Sequence, residues 1–111
     1  MSSCLVVLVT CPTRRHAQRL AKTLVAKRLA ACVNILPNVR SVFWWRGHVD
    51  QAAEVLLMIK TTAKRFQLLR AAVQAGHPYE IPEIIGLPIV EAHQPYLRWI
   101  HASLTSVPSH I

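Results

Sequence analysis

Apolar and polar positions divide the chain into segments of contrasting rhythm. Leu5, Val6, Val7, Leu8 and Val9 run together without a polar residue, as in a strand covered on both faces. Thr10-Cys11-Pro12-Thr13 breaks the run, and Thr13 suits the cap of a helix. Across residues 14–28, Ala17, Leu20, Ala21, Leu24 and Val25 recur at helical spacing, with Arg15, Arg19 and Lys22 on the other side. Arg14 and Arg15 in the first turn oppose the helix dipole, at a cost of roughly a few tenths of a kcal/mol. Residues 31–45 read as a long extended segment. Val39, Ser41, Phe43 and Trp45 fall on one face, and Arg40, Val42, Trp44 and Arg46 on the other. Pro37 is expected to bend the segment or to sit at an edge or bulge. Gly47, His48 and Asp50 mark a turn, after which residues 54–60 form a second doubly apolar strand, antiparallel to the first. Thr62 then caps a second helix with Phe66, Leu69 and Val73 as its stripe and Gly76 as its stop. Residues 77–89 hold three prolines, which excludes a helix and leaves only an interrupted or edge strand. Pro95 suits the first position of a third helix carrying Tyr96, Leu97, Ile100 and Leu104, and residues 105–111 read as a loose tail.

The order β-α-β-β-α-β-α predicts an α+β fold over residues 1–104: a ferredoxin-like βαββαβ core with an additional C-terminal helix. In such a domain two helices cover one face of the sheet and the other face is normally wet. Here the first and third strands are apolar on both faces, so the second face needs cover, and self-association supplies it most simply. Composition agrees. The 111 residues are 52% hydrophobic and only 16% charged, which excludes intrinsic disorder and fits one domain with one core. No apolar run reaches the roughly 18 residues of a membrane span, and the first run is too short for a secretory signal. Three cysteines at irregular positions 4, 11 and 32 do not form a disulfide framework, so the cytoplasm is the expected compartment.

Charge changes the picture more. The chain carries 13 Lys and Arg against 5 Asp and Glu, a formal charge of +8. A basic ferredoxin-like sheet is a setting for RNA recognition, but such domains stack bases on aromatics of the first and third strands. Neither strand has one here, so sequence-specific nucleic-acid reading is not expected, and the basic helix faces read first as solvated surface. For metal there is no CxxC and no HxxxH. Cys11 after the first strand and His77 after the second helix are ends that this topology can bring together, and a thiolate–imidazole pair suits copper or zinc. A buried cysteine and a turn-capping histidine explain the same residues without an ion. His16, His48, His93, His101 and His110 read as surface residues, and Cys32 as core. Glu80 and Glu83 near Tyr79, with Lys60 ending the third strand, are the only acid–base grouping, and an ion pair accounts for it as well. No glycine-rich phosphate loop or nucleophile elbow is present.

Several of these segments together resemble the CutA family, named for divalent-cation tolerance. The residues that carry the resemblance are Ala30-Ala31-Cys32-Val33-Asn34-Ile35, Ser41-Val42-Phe43-Trp44-Trp45-Arg46-Gly47, Glu54 with Ile59-Lys60-Thr61, His77-Pro78-Tyr79-Glu80-Ile81-Pro82-Glu83 and Tyr96-Leu97-Arg98-Trp99, across residues 4–104. The resemblance implies a ferredoxin-like subunit in a homotrimer similar to the PII signalling proteins, with sheets facing inward and long hairpins reaching neighbouring subunits. It implies binding of copper or another divalent metal ion, a role in metal tolerance, no enzymatic activity and no membrane partner. The family's copper-site pattern has a Cys near the end of the first strand and a His pair before Pro-Tyr. Here those positions are Val9 and Gly76, and only His77 matches, with Cys11 two residues on as a substitute. Phe43 stands where the family usually has Tyr. Trp45, Lys60, Tyr79 and Glu83 fit the family pattern and are expected around an inter-subunit cleft, where they bind a ligand or brace the trimer. The runner-up function is a PII-like signalling or scaffold trimer holding a small anion in that cleft, which the basic balance favours.

Overall fold

The computed structural model describes residues 3–105. The elements are β1 (Cys4–Cys11), α1 (Arg14–Ala26), β2 (Cys32–Trp45), β3 (His48–Thr62), α2 (Ala63–Ala75), β4 (Ile84–Pro88) and α3 (Gln94–Leu104). The sheet order is β2-β3-β1-β4, with every neighbouring pair antiparallel. This is the ferredoxin-like arrangement predicted from the element order. The predicted tail from residue 106 onward lies outside the described residues; Thr105 itself closes α3, its hydroxyl donating to the His101 carbonyl at 3.0 Å.

Alternation along the strands decides the two faces of the sheet. Val7, Val9, Leu57 and Ile59 are fully buried and meet Ala17, Leu20 and Leu24 of α1 and Leu69 and Val73 of α2 in the main core. Thr13 caps α1 as predicted, accepting a hydrogen bond from the His16 amide at 3.1 Å. Thr62 stands at the start of α2 without a side-chain cap, and Gly76 ends it with φ −104°, so that stop does not use the left-handed region. On the opposite face, α3 covers the Cys4 end through Ile100 and Leu104. Between there and Thr10 lie Val6, Leu8, Leu56 and Met58, only half-buried, with Ile85 47% and Leu87 46% exposed beside them on β4. The doubly apolar strands therefore leave an uncovered apolar centre in the single chain.

The long hairpin differs from expectation at its tip. Its turn is Arg46-Gly47 alone, and β3 begins at His48 instead of Glu54. Both turn residues have positive φ, 49° and 86°, the conformation whose twist matches that of two paired strands. Further down, the pairing skips from Leu36↔Leu56 to Val39↔Glu54. Pro37 and Asn38 thus oppose one residue of β3, a bulge with Asn38 at φ 65°. Below the bulge, even-numbered residues of β2 share a face with Leu56 and Met58; above it Val39, Ser41, Phe43 and Trp45 do.

Candidate functional site

The C-terminal end of β1, the first turn of α1 and the residues after α2 meet at one corner. Cys11 is fully buried there. His16 lies in the first turn of α1, and its Nε2 is 2.8 Å from the Gly76 carbonyl oxygen. His77 Nε2 is 2.8 Å from the Thr10 carbonyl oxygen, and its Nδ1 accepts from the Tyr79 amide at 3.1 Å. A carbonyl only accepts, so both Nε2 atoms carry the ring proton. The two rings meet edge to face with centroids 5.0 Å apart. One ligand atom from each of Cys11, His16 and His77 falls within 4.8 Å of the other two. His16 Nδ1 is buried with no hydrogen-bond partner.

Burial favours the neutral forms of Cys11 and His77 here. Burial, with a smaller push from the Glu54 charge, raises the Cys11 thiol to about 11. Burial lowers the His77 imidazole, helped by His16, while the Thr10 carbonyl and Glu54 partly counter it. One sulfur and two imidazole nitrogens fit a soft or borderline ion, provided the thiol gives up its proton. His16 Nδ1 has a free lone pair to offer. His77 has none until it releases a backbone hydrogen bond. Cys11 and His77, paired from the sequence, thus come together, and His16 joins them. The sequence placed His16 on the surface, and it is half-buried instead.

Two residues on, Tyr79 links this corner to a cleft. Its ring leans on His77 with centroids 4.7 Å apart, and its hydroxyl donates to Glu54 Oε2 at 2.6 Å. Burial and this contact with Glu54 raise the phenol well above its usual 10, so it stays a donor. Glu54, only 8% exposed, holds the 77–83 segment against the sheet. In the sequence Glu54 begins a strand and belongs to the residues that resemble the family, with no role assigned to it. The cleft, about 590 Å³, runs between that segment and the upper hairpin, with Phe43, Trp45 and Tyr79 among its walls. Asp50, Glu54, Glu80 and Glu83 also line it, four of the five carboxylates in the chain. Arg46 pairs with Glu80 at 3.2 Å and lies 5.3 Å over the Trp45 ring.

Trp45, Tyr79 and Glu83 line one cleft within the single chain, whereas the expected cleft lay between subunits, and Lys60 is not among its lining residues. Its ammonium bonds Asn34 and reaches Cys32 Sγ at 3.9 Å, farther along the sheet. The acid–base grouping of Lys60 with Glu83 does not form. Nor does a lining this acidic suit a small anion within one chain. Cys32, read as core, is half-buried beside Lys60.

Residues 5–103 match the family model described as CutA1 divalent ion tolerance protein. The chain is 48% identical over 95 residues to the divalent-cation tolerance protein CutA of Thermus thermophilus, covering 86% of this chain and 92% of that one. It is 43% identical to the mouse protein CutA over 89% of this chain, and spans only 56% of the mouse protein's length. Among solved structures, the periplasmic divalent cation tolerance protein CutA of Archaeoglobus fulgidus superposes with a TM-score of 0.89 at 37% identity, covering 92% of this chain and 99% of that one. By fold and by sequence this is a ferredoxin-like divalent-cation tolerance domain. The chain belongs to the CutA1 divalent ion tolerance family. Among the described residues no helix is long and apolar enough to cross a membrane.

Proposed function

We propose that this chain serves metal tolerance by holding a copper-type ion in the pocket of Cys11, His16 and His77, as a cytoplasmic homotrimer that binds and does not catalyse. The observation that carries the reading is the convergence of one thiol and two imidazoles within 4.8 Å. Their chemistry favours copper or zinc over hard cations. Three protein donors leave a position for water or a further ligand. Loading the pocket takes the proton from Cys11 and frees His77 from Thr10 or Tyr79, so binding is coupled to proton release. Trimer formation is supported by the apolar centre of the outer sheet face, where Ile85 and Leu87 stand about half exposed. A binding role fits the cleft, where the Tyr79 hydroxyl is committed to Glu54. Three free cysteines agree with a reducing compartment.

Titration calorimetry with copper and with zinc tests the ion site. The wild-type chain is expected to bind one ion per subunit. His77→Ala, Cys11→Ser and His16→Ala should each weaken it by at least about tenfold. Unchanged copper affinity in all three variants, or no binding by the wild type, would overturn the assignment.

A further inference from the structure

The charge of this chain is segregated in space. Of 13 Lys and Arg residues, six lie within residues 14–28 and three within 63–75, the two segments that build the helical layer. No Asp or Glu precedes Asp50, and none falls between Glu54 and Glu80. Four of the five acidic residues collect in the cleft instead. Among the described residues the one ion pair is Arg46–Glu80, so no helix cation is neutralised by an acidic neighbour.

Three of the nine have structural work. Arg28 and Arg65 donate to the Ser103 and Leu104 carbonyls at the end of α3, each at 2.7 Å, and Arg70 clamps Gln67 and Gln74. The other six, Arg14, Arg15, Arg19, Lys22, Lys27 and Lys64, are exposed. Arg15, Arg19 and Lys22 recur at i, i+4 and i+7 and make one stripe along α1. Like charges at this spacing repel. Both helices also begin with cations and no acid in the first turn, against their dipoles. An anion lying across the layer relieves both penalties at once.

The rest of the surface narrows the choice of anion. Six of the nine cations are arginines, whose planar forks match phosphate oxygens. Phe66, the one aromatic in α1 or α2, is half-buried against the core. The layer thus lacks the stacking platforms that hold single strands. It also lacks the aromatic and leucine-rich wedge of a helix that sinks into a bilayer interface; Val25 and Leu68 are its only exposed large apolar residues. A stiff duplex with regularly spaced phosphates fits a cationic layer about 20 Å long, the length of 13 helical residues.

We propose that the α1/α2 face binds the phosphate backbone of double-stranded nucleic acid without reading its sequence. The inference is independent of the ion pocket and of what fills it.

Fluorescence anisotropy of a short labelled DNA duplex of mixed sequence, followed against sodium chloride in metal-free protein, tests this. Binding in the roughly 1–100 µM range at low salt is expected, with log affinity falling linearly with log salt. The triple variant Arg15→Gln, Arg19→Gln, Lys22→Gln should lower the magnitude of that slope by about three, one for each phosphate no longer neutralised. A control, Arg40→Gln with Arg98→Gln, removes two cations away from the layer and should keep both affinity and slope, because separated surface charges are screened. Circular dichroism confirms that both variants fold. Absence of binding at low salt, equal loss in the control, or stronger binding to phosphatidylserine vesicles than to duplex would each overturn the proposal.

Discussion

At His77 both ring nitrogens are engaged by backbone, one by Thr10 and one by Tyr79, and the ring cannot gain a proton without losing the second bond. Protonation is therefore linked to stability in the metal-free protein. The folded-state pKa of His77 is depressed below the ordinary 6.5, so its contribution is complete above 6.5 and is lost as pH falls through the folded value. Cys11 behaves oppositely. Its folded pKa is raised from 9.0 to about 11, so its contribution is complete below 9 and is lost as pH rises toward 11. Urea denaturation across pH should show stability declining on both sides, with His77→Gln flattening the acid limb and Cys11→Ala the alkaline one. Tyr79 supplies a third expectation at this scale. Tyr79→Phe leaves the buried Glu54 carboxylate without its donor and should cost about 1.5–3 kcal/mol by the same measurement. Tyr79→Phe with Glu54→Gln should recover part of the loss, since a neutral amide is less costly to bury unpaired.

Among the elements, the hairpin tip isolates a backbone effect. A Cβ at Gly47 would meet nothing within 4 Å, yet φ is +86°. Gly47→Ala should therefore destabilise by about 1–2 kcal/mol through conformation alone, read as a lower melting temperature. Arg46→Asn places a residue better suited to φ 49° and should stabilise the tip; the Arg46–Glu80 pair it removes is largely exposed and contributes little. This region also marks where the sequence stops being informative. Apart from Val49, His48 to Ala53 is polar or small, and the segment is mostly exposed, so no apolar alternation announces a strand. Only hydrogen bonding to β2 makes it one. The buried elements were legible because their faces are: the stripe of α1, the run of β1 and the cap at Thr13. Cys11 and His77 were legible because each stands at an element boundary beside a proline. His16 was not, since it follows two arginines on a polar helix face. Its burial comes from Gly76, sixty residues away in the chain, and no local pattern reports such a contact.

For the whole molecule, the uncovered face of the sheet governs behaviour in solution. If copies meet there, as proposed, a charge at its centre is incompatible with the assembly. Leu87→Glu with Ile85→Glu should shift the sedimentation coefficient from trimer toward monomer while circular dichroism keeps its shape; an unchanged coefficient would place the interface elsewhere. The need for cover could be read from β1 and β3, but the number of copies could not, because apolar area has no symmetry of its own. The molecule is 52 Å in its longest dimension, and the step at Pro37–Asn38 gives the long hairpin arm something like a reading frame. Side chains alternate strictly above it, so adding or removing a single residue between the bulge and the turn would exchange the faces of the whole arm on that strand. Phe43 and Trp45 would leave the cleft and Val42 and Trp44 would take their places. Substitutions along the arm can accumulate one at a time, but β2 can change length there only in steps of two, or by moving the bulge itself.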